Sequence, residues 1–110
     1  MRKGYHLDTQ FQHSHTSFWS NALDDTTVGG VGFVIKQKFL QRFDSHRFTS
    51  VVPAKAALLS LRGPEGALDI CTVHVDPMLT TDEKQRFLDA VYHSLSTDSR
   101  VHTLVCGDFN

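Results

Sequence analysis

Two apolar runs, AKAALLSL at 54–61 and ALDICTVHV at 67–75, flank the segment RGPEG at 62–66 and constrain the chain more than any other feature. Proline presets φ and glycine supplies positive φ, so RGPEG is a turn and the two runs predict a β-hairpin. Alternation along the second run places Leu68, Ile70, Thr72 and His74 on one face. Ala67, Asp69, Cys71, Val73 and Val75 fall on the other. Both faces are largely apolar, which a strand half-exposed to water does not require. The hairpin therefore belongs to a sheet covered on both sides, either by a second sheet or by helices.

A helix start follows. Thr80 with Glu83 three positions later has the form of a capping box, and Asp82 suits the positive end of the helix dipole. Phe87, Leu88, Val91 and Leu95 recur at helical spacing and predict the packed face, leaving Lys84, Arg86 and Asp89 to solvent. The helix ends near STDS at 96–99. VHTLVC at 101–106 then reads as a strand that joins the sheet of the hairpin and delivers Gly107, Asp108, Phe109 and Asn110 at its C-terminal end. Upstream, DDTTVGG at 24–30 reads as a turn and VGFVIK at 31–36 as a short strand, with Gly32 allowing close approach of another backbone. Pro53 limits the start of the strand that follows it.

With 110 residues, 40% of them apolar, the chain is at most one small domain with a real core. No run reaches the roughly 18 uncharged apolar residues of a membrane span, and no apolar run follows the basic start as in a signal peptide. The expectation is an intracellular chain of the nucleus or cytoplasm, not secreted and without a membrane partner. Cys71 and Cys106 lie in apolar strand-like runs without CxxC spacing, so buried, reduced thiols are expected. The net charge of −1 excludes binding to nucleic acid by bulk phosphate neutralisation alone. Its distribution is uneven: residues 31–62 carry +5 and residues 63–110 carry −5. Such a division could set a phosphate-attracting rim beside an acidic, cation-binding floor, but the counts alone favour two solvated faces.

GDFN at 107–110 holds the chemistry. An Asp directly after a buried strand is fixed by a rigid element yet reaches an open edge, and Gly107 before it removes a Cβ that would obstruct a ligand. Asn110, two residues on, points the same way in an extended backbone and adds a neutral amide. For the tetrapeptide alone, an Asp-Asn turn after a strand is the favoured explanation. His74 ends its strand before Asp76 and Pro77, where it is either a structural imidazole or a group at the same edge as Asp108. His13 and His15 lack acidic or cysteine partners at metal spacing and receive no function. Phe18 and Trp19 read as core before they read as a stacking platform for a base.

The order SFWSN, GGVGFVI, LLSLRGPEGALDI, TVHVDP, helix and GDFN, spanning Ser17 to Asn110, resembles the endonuclease/exonuclease/phosphatase superfamily. That superfamily includes deoxyribonuclease I, apurinic/apyrimidinic endonucleases and the endonuclease domains of non-LTR retrotransposons, the last being the nearest in character. The resemblance implies an α/β fold, part of a two-sheet α/β sandwich, with a mixed, mostly antiparallel sheet and at least one helix packed on it. It implies Mg²⁺-dependent (or Mn²⁺-dependent) hydrolysis of phosphodiester bonds, with DNA as the expected partner. Asp108 matches the aspartate of the GDxN motif, which holds the metal and positions the attacking water. Asn110 matches the motif's asparagine, which contacts the scissile phosphate and supports the metal. His74 matches a phosphate-facing histidine.

The chain departs from the pattern in two places. It lacks the Gln-Glu pair that supplies the family's metal-binding glutamate, and it lacks the later Asp-His pair. Residues 1–110 are thus expected to be a single incomplete domain, missing its N-terminal metal-ligand segment and its C-terminal half. Its uncovered apolar faces would then associate with the missing half or with themselves. The alternatives of other classes are a phosphomonoesterase or lipid phosphodiesterase of the same superfamily, and an inactive chain that binds nucleic acid or protein through its basic middle segment. GxSxG, GxxxxGK[ST], HExxH and CxxC are all absent from the sequence.

Overall fold

The computed structural model describes residues 14–21 and 30–108. Its elements are β1 (His15–Asn21), β2 (Gly30–Lys36), the single-turn helix α1 (Gln37–Leu40), β3 (Ser45–Val52), β4 (Ala56–Gly63), β5 (Gly66–His74), the helix α2 (Thr81–Ser94) and β6 (Val101–Asp108). Among the described residues β1 and β2 form an antiparallel pair, and the other strands form a mixed sheet in the order β3-β4-β5-β6. The fold is α/β.

The expected hairpin is β4–β5. Leu59 lies opposite Ile70 and Leu61 opposite Leu68, and Gly63 pairs with Gly66, so the loop proper is Pro64-Glu65, tighter than the five-residue turn that composition suggests. β4 and β5 are the two interior strands of the sheet, and each of their faces is covered by a different layer. On one face Ala57, Leu59 and Leu61 meet Val31 and Phe33 of β2, with Leu68 and Ile70 alongside. On the other Ala56, Leu58, Cys71 and Val73 meet Val91 of α2. The period-2 alternation read from the sequence divides the two layers as expected. Each fully buried Leu on β4 contributes about 1.5–3 kcal/mol of burial, which fixes the register, since a slip of one residue would exchange the faces.

β3 is not evident in the sequence. Its residues SHRFTSVV are mostly exposed because it is an edge strand, and only Phe48 among its first six residues is half-buried. That ring stacks on Phe18, with centroids 5.6 Å apart, and stands edge-on to Phe33 at 6.3 Å. Phe18 is therefore core material, as expected. At Gly32 a Cβ would collide with the Phe18 carbonyl and the Trp19 ring, so the close approach predicted there is real. Pro53 sits in the turn between β3 and β4, where Lys55 N–H donates to the Val52 carbonyl at 2.9 Å and Ala54 takes a left-handed φ of 64°. Buried Ser20 of β1 secures this turn: its hydroxyl accepts from Ala54 N–H at 3.2 Å and bonds the Ser50 hydroxyl at 2.5 Å.

Helix α2 is the crossover that makes β5 and β6 parallel, as such a connection requires. Its capping box is complete: Thr80 Oγ1 accepts from Glu83 N–H at 3.2 Å, and Glu83 Oε1 accepts from Thr80 N–H at 2.9 Å. Val91 is buried, with Phe87 and Leu95 packed beside it. Leu88 departs from the expected packed face. It is 38% exposed, because Val91, Phe87 and Leu95 are the helix-side residues that pack on the sheet. No helix among the described residues is long and apolar enough to cross a membrane.

Candidate functional site

The parallel register of β5 and β6 aligns Ala67 with Val101 and, at the far end, His74 with Asp108. Two of the three residues singled out in the sequence thus occupy one rung of the ladder, on adjacent strands about 4.8 Å apart, with side chains on the same face. Both sit at the C-terminal ends of parallel strands, where α/β sheets open their binding crevices. Strand hydrogen bonds hold their backbones: His74 N–H donates to the Lys55 carbonyl and Val75 N–H to the Asp108 carbonyl, each at 2.8 Å. Asn110 lies outside the described residues, as do His13 and the turn at 24–29.

Gly107 has a different reason to be glycine than the one its position suggests. Its φ is 131°, and a Cβ built there would fall 2.8 Å from the Val73 nitrogen, 3.0 Å from the Val73 carbonyl carbon and closer still to the Val73 oxygen. What it avoids is the backbone of β5, not a ligand. The missing Cβ lets β6 close onto β5, which is what brings Asp108 level with His74.

A cleft of about 240 Å³ reaches His74 but not Asp108, and is lined by Val52, Lys55, His74, Asp76, Leu79, Glu83 and Phe87. Its chemistry is mixed: one ammonium, one imidazole and two carboxylates. The Glu83 carboxyl is held below its ordinary range, first by the backbone N–H of Thr80 and then by the Thr80 side chain, while the nearby charge of Asp76 opposes the shift. One Asp76 oxygen accepts from Met78 N–H at 2.9 Å, which fixes the chain just after β5. A larger cleft of about 610 Å³ is lined by Ser14, His15, Lys36, Gln37, Lys38 and Gln41, with no carboxylate among the described residues lining it. No group of three or more His, Cys, Asp or Glu among the described residues stands close enough to share an ion.

The basic middle segment does not present all its charges freely. Arg62 donates to Asp69 at 2.7 Å, a carboxylate only 2% exposed and buried on the helix side of the sheet, and Arg42 pairs with Glu65 at 3.3 Å. Cys71 is buried, as expected, and burial raises its thiol pKa, with Cys106 adding to the shift. Cys106 is exposed, contrary to expectation, because its strand has no neighbour on the outer side among the described residues. Lys55 and Asp76 were missed as candidate site residues. The signal for both was their position: each lies at or next to the end of a strand whose other end is tied into the hairpin.

No family model, no curated protein and no solved structure matches the chain.

Proposed function

We propose that this chain carries part of a divalent-metal-dependent phosphodiesterase site of the deoxyribonuclease I type, acting on DNA. The observation that carries the reading is the shared rung of His74 and Asp108 at the open ends of two parallel strands. The helix, sheet and second sheet stacked in that order support it, being the layers expected of half of a two-sheet α/β sandwich.

Magnesium keeps several waters and takes only one or two protein carboxylates besides substrate phosphate oxygens. Asp108 at the strand end suits such an ion, and Asn110 would add a neutral oxygen. The bound ion would neutralise charge developing on the phosphate and lower the pKa of its water. In this reading Asp108 orients the water toward phosphorus. His74 donates a hydrogen bond to a non-bridging phosphate oxygen from the neighbouring strand, and Lys55 at the cleft adds positive charge for the DNA backbone. Because the backbones of His74 and Asp108 are fixed by strand hydrogen bonds, the two groups need little reorganisation when phosphate arrives.

The test is nicking of supercoiled plasmid by the purified chain with Mg²⁺ and with EDTA. The expected result is metal-dependent nicking that falls at least about 100-fold in Asp108→Ala and in His74→Ala. Nicking indifferent to Asp108→Ala overturns the proposal, as does folded protein that neither nicks nor binds Mn²⁺ in an Asp108-dependent way.

A further inference from the structure

β6 is the outer strand of its sheet among the described residues, and from His102 to Asp108 every residue on it is exposed. Leu104 and Val105, on opposite faces, are 58% and 42% exposed. Outer strands in soluble proteins are usually blunted by lysine, proline or a bulge, and VHTLVCGD has none of these. An open ladder with an apolar centre calls for another strand.

The sequence of β6 specifies which strand fits. The Asp108 carbonyl accepts from Val75, so Asp108 directs its backbone groups toward β5. By alternation Cys106, Leu104 and His102 do the same, and Val101, Thr103, Val105 and Gly107 turn their N–H and C=O groups outward. A second copy of β6, antiparallel and related by a two-fold axis through Val105, satisfies that outward set. Val105 then exchanges hydrogen bonds with its counterpart, and Thr103 with the partner's Gly107. In the intervening non-hydrogen-bonded pairs, where side chains are closest, Leu104 lies across from the partner's Cys106 and His102 from the partner's Asp108. The strand is thus self-complementary. Its apolar residues meet in the middle, and an imidazole meets a carboxylate at each end, a carboxylate having acceptor capacity for more than one partner.

We infer that the chain forms a two-fold dimer by antiparallel β6–β6 pairing centred on Val105, joining two four-stranded sheets into one eight-stranded sheet. The closed symmetry explains why such an edge need not propagate into fibres. The inference uses strand chemistry alone and is independent of the catalytic reading. It goes beyond it in one respect: the pairing sets His102 of the partner subunit beside Asp108, on the face that carries His74.

The full chain is studied by sedimentation velocity, where a species of twice the 12.4 kDa chain mass is expected. Val105→Lys places like charges across the axis and weakens the dimer at least about 100-fold, while circular dichroism stays that of the parent. The register is read by Leu104→Cys, which under mild oxidation becomes disulfide-linked between copies through native Cys106. Adding Cys106→Ser abolishes the link. His102→Asp alone weakens the dimer by opposing two carboxylates, and His102→Asp with Asp108→His restores it. A monomeric parent chain overturns the inference, as does a dimer that survives Val105→Lys or a Leu104→Cys chain that does not cross-link.

Discussion

Replacing Gly107 with alanine separates two costs that usually arrive together. The first is conformational: a φ of 131° lies where an L side chain is disfavoured, at about 1–2 kcal/mol. The second is collision, because the new Cβ meets the Val73 backbone, which cannot rotate away as a side chain could. Overpacking of this kind costs about 1–3 kcal/mol. Alanine also narrows the unfolded ensemble, returning about 0.4–1 kcal/mol. Gly66 provides the control, with a φ of 145° and no atom within 4 Å of the place a Cβ would occupy. Gly66→Ala carries the conformational cost and gains the same unfolded-state offset, so the difference between the variants isolates the collision. Urea denaturation followed by circular dichroism should place Gly107→Ala about 1–3 kcal/mol below Gly66→Ala, with similar m values. Equal losses would refute the reasoning, since they would mean that β6 moves outward at no cost and that nothing at Gly107 holds Asp108 level with His74.

The remaining predictions concern the cap and the thiols. Thr80→Ala should cost about 1 kcal/mol in the same assay. Because the Glu83 carboxyl is held below its ordinary 4.5, its stabilising contribution is present above that value and lost as pH falls through the lowered one. Parent and Glu83→Gln chains should therefore differ in stability at pH 7 and converge in acid, and a difference independent of pH would show that the charge contributes nothing. In the folded, dissociated Val105→Lys chain a thiol reagent should modify Cys106 and reach Cys71 only in denaturant, because burial both hides the Cys71 thiol and keeps it protonated. Equal labelling of both in the native state would contradict the packing of α2 on β5.

What was legible in the sequence was what depends on short-range pattern. The hairpin, the division of Leu68, Ile70, Cys71 and Val73 between two faces, and the Thr80–Glu83 box are each set by residues close along the chain. β3 was not legible because an edge strand needs little apolar alternation, and its one informative ring, Phe48, takes its meaning from Phe18 on another sheet. The exposure of Leu88 and Cys106 likewise depends on what lies across from them. For the site, His74 and Asp108 could each be placed at a strand end, but that they share a rung follows from the parallel register. Gly107 was noticed for the right property and the wrong neighbour. Only the fold shows that the surface it must clear is β5.

The crossover between β5 and β6 gives this arrangement an engineering property. His74 and Asp108 are brought level by the ladder itself, and the exposed stretch at 96–100 just before β6 contributes nothing to the rung. Lengthening a surface connection costs little, since closure entropy grows only with the logarithm of its length. Extra residues could therefore be inserted after Leu95, even a small folded module, while the imidazole and the carboxylate kept their spacing. The paired groups and the route between them are separable parts.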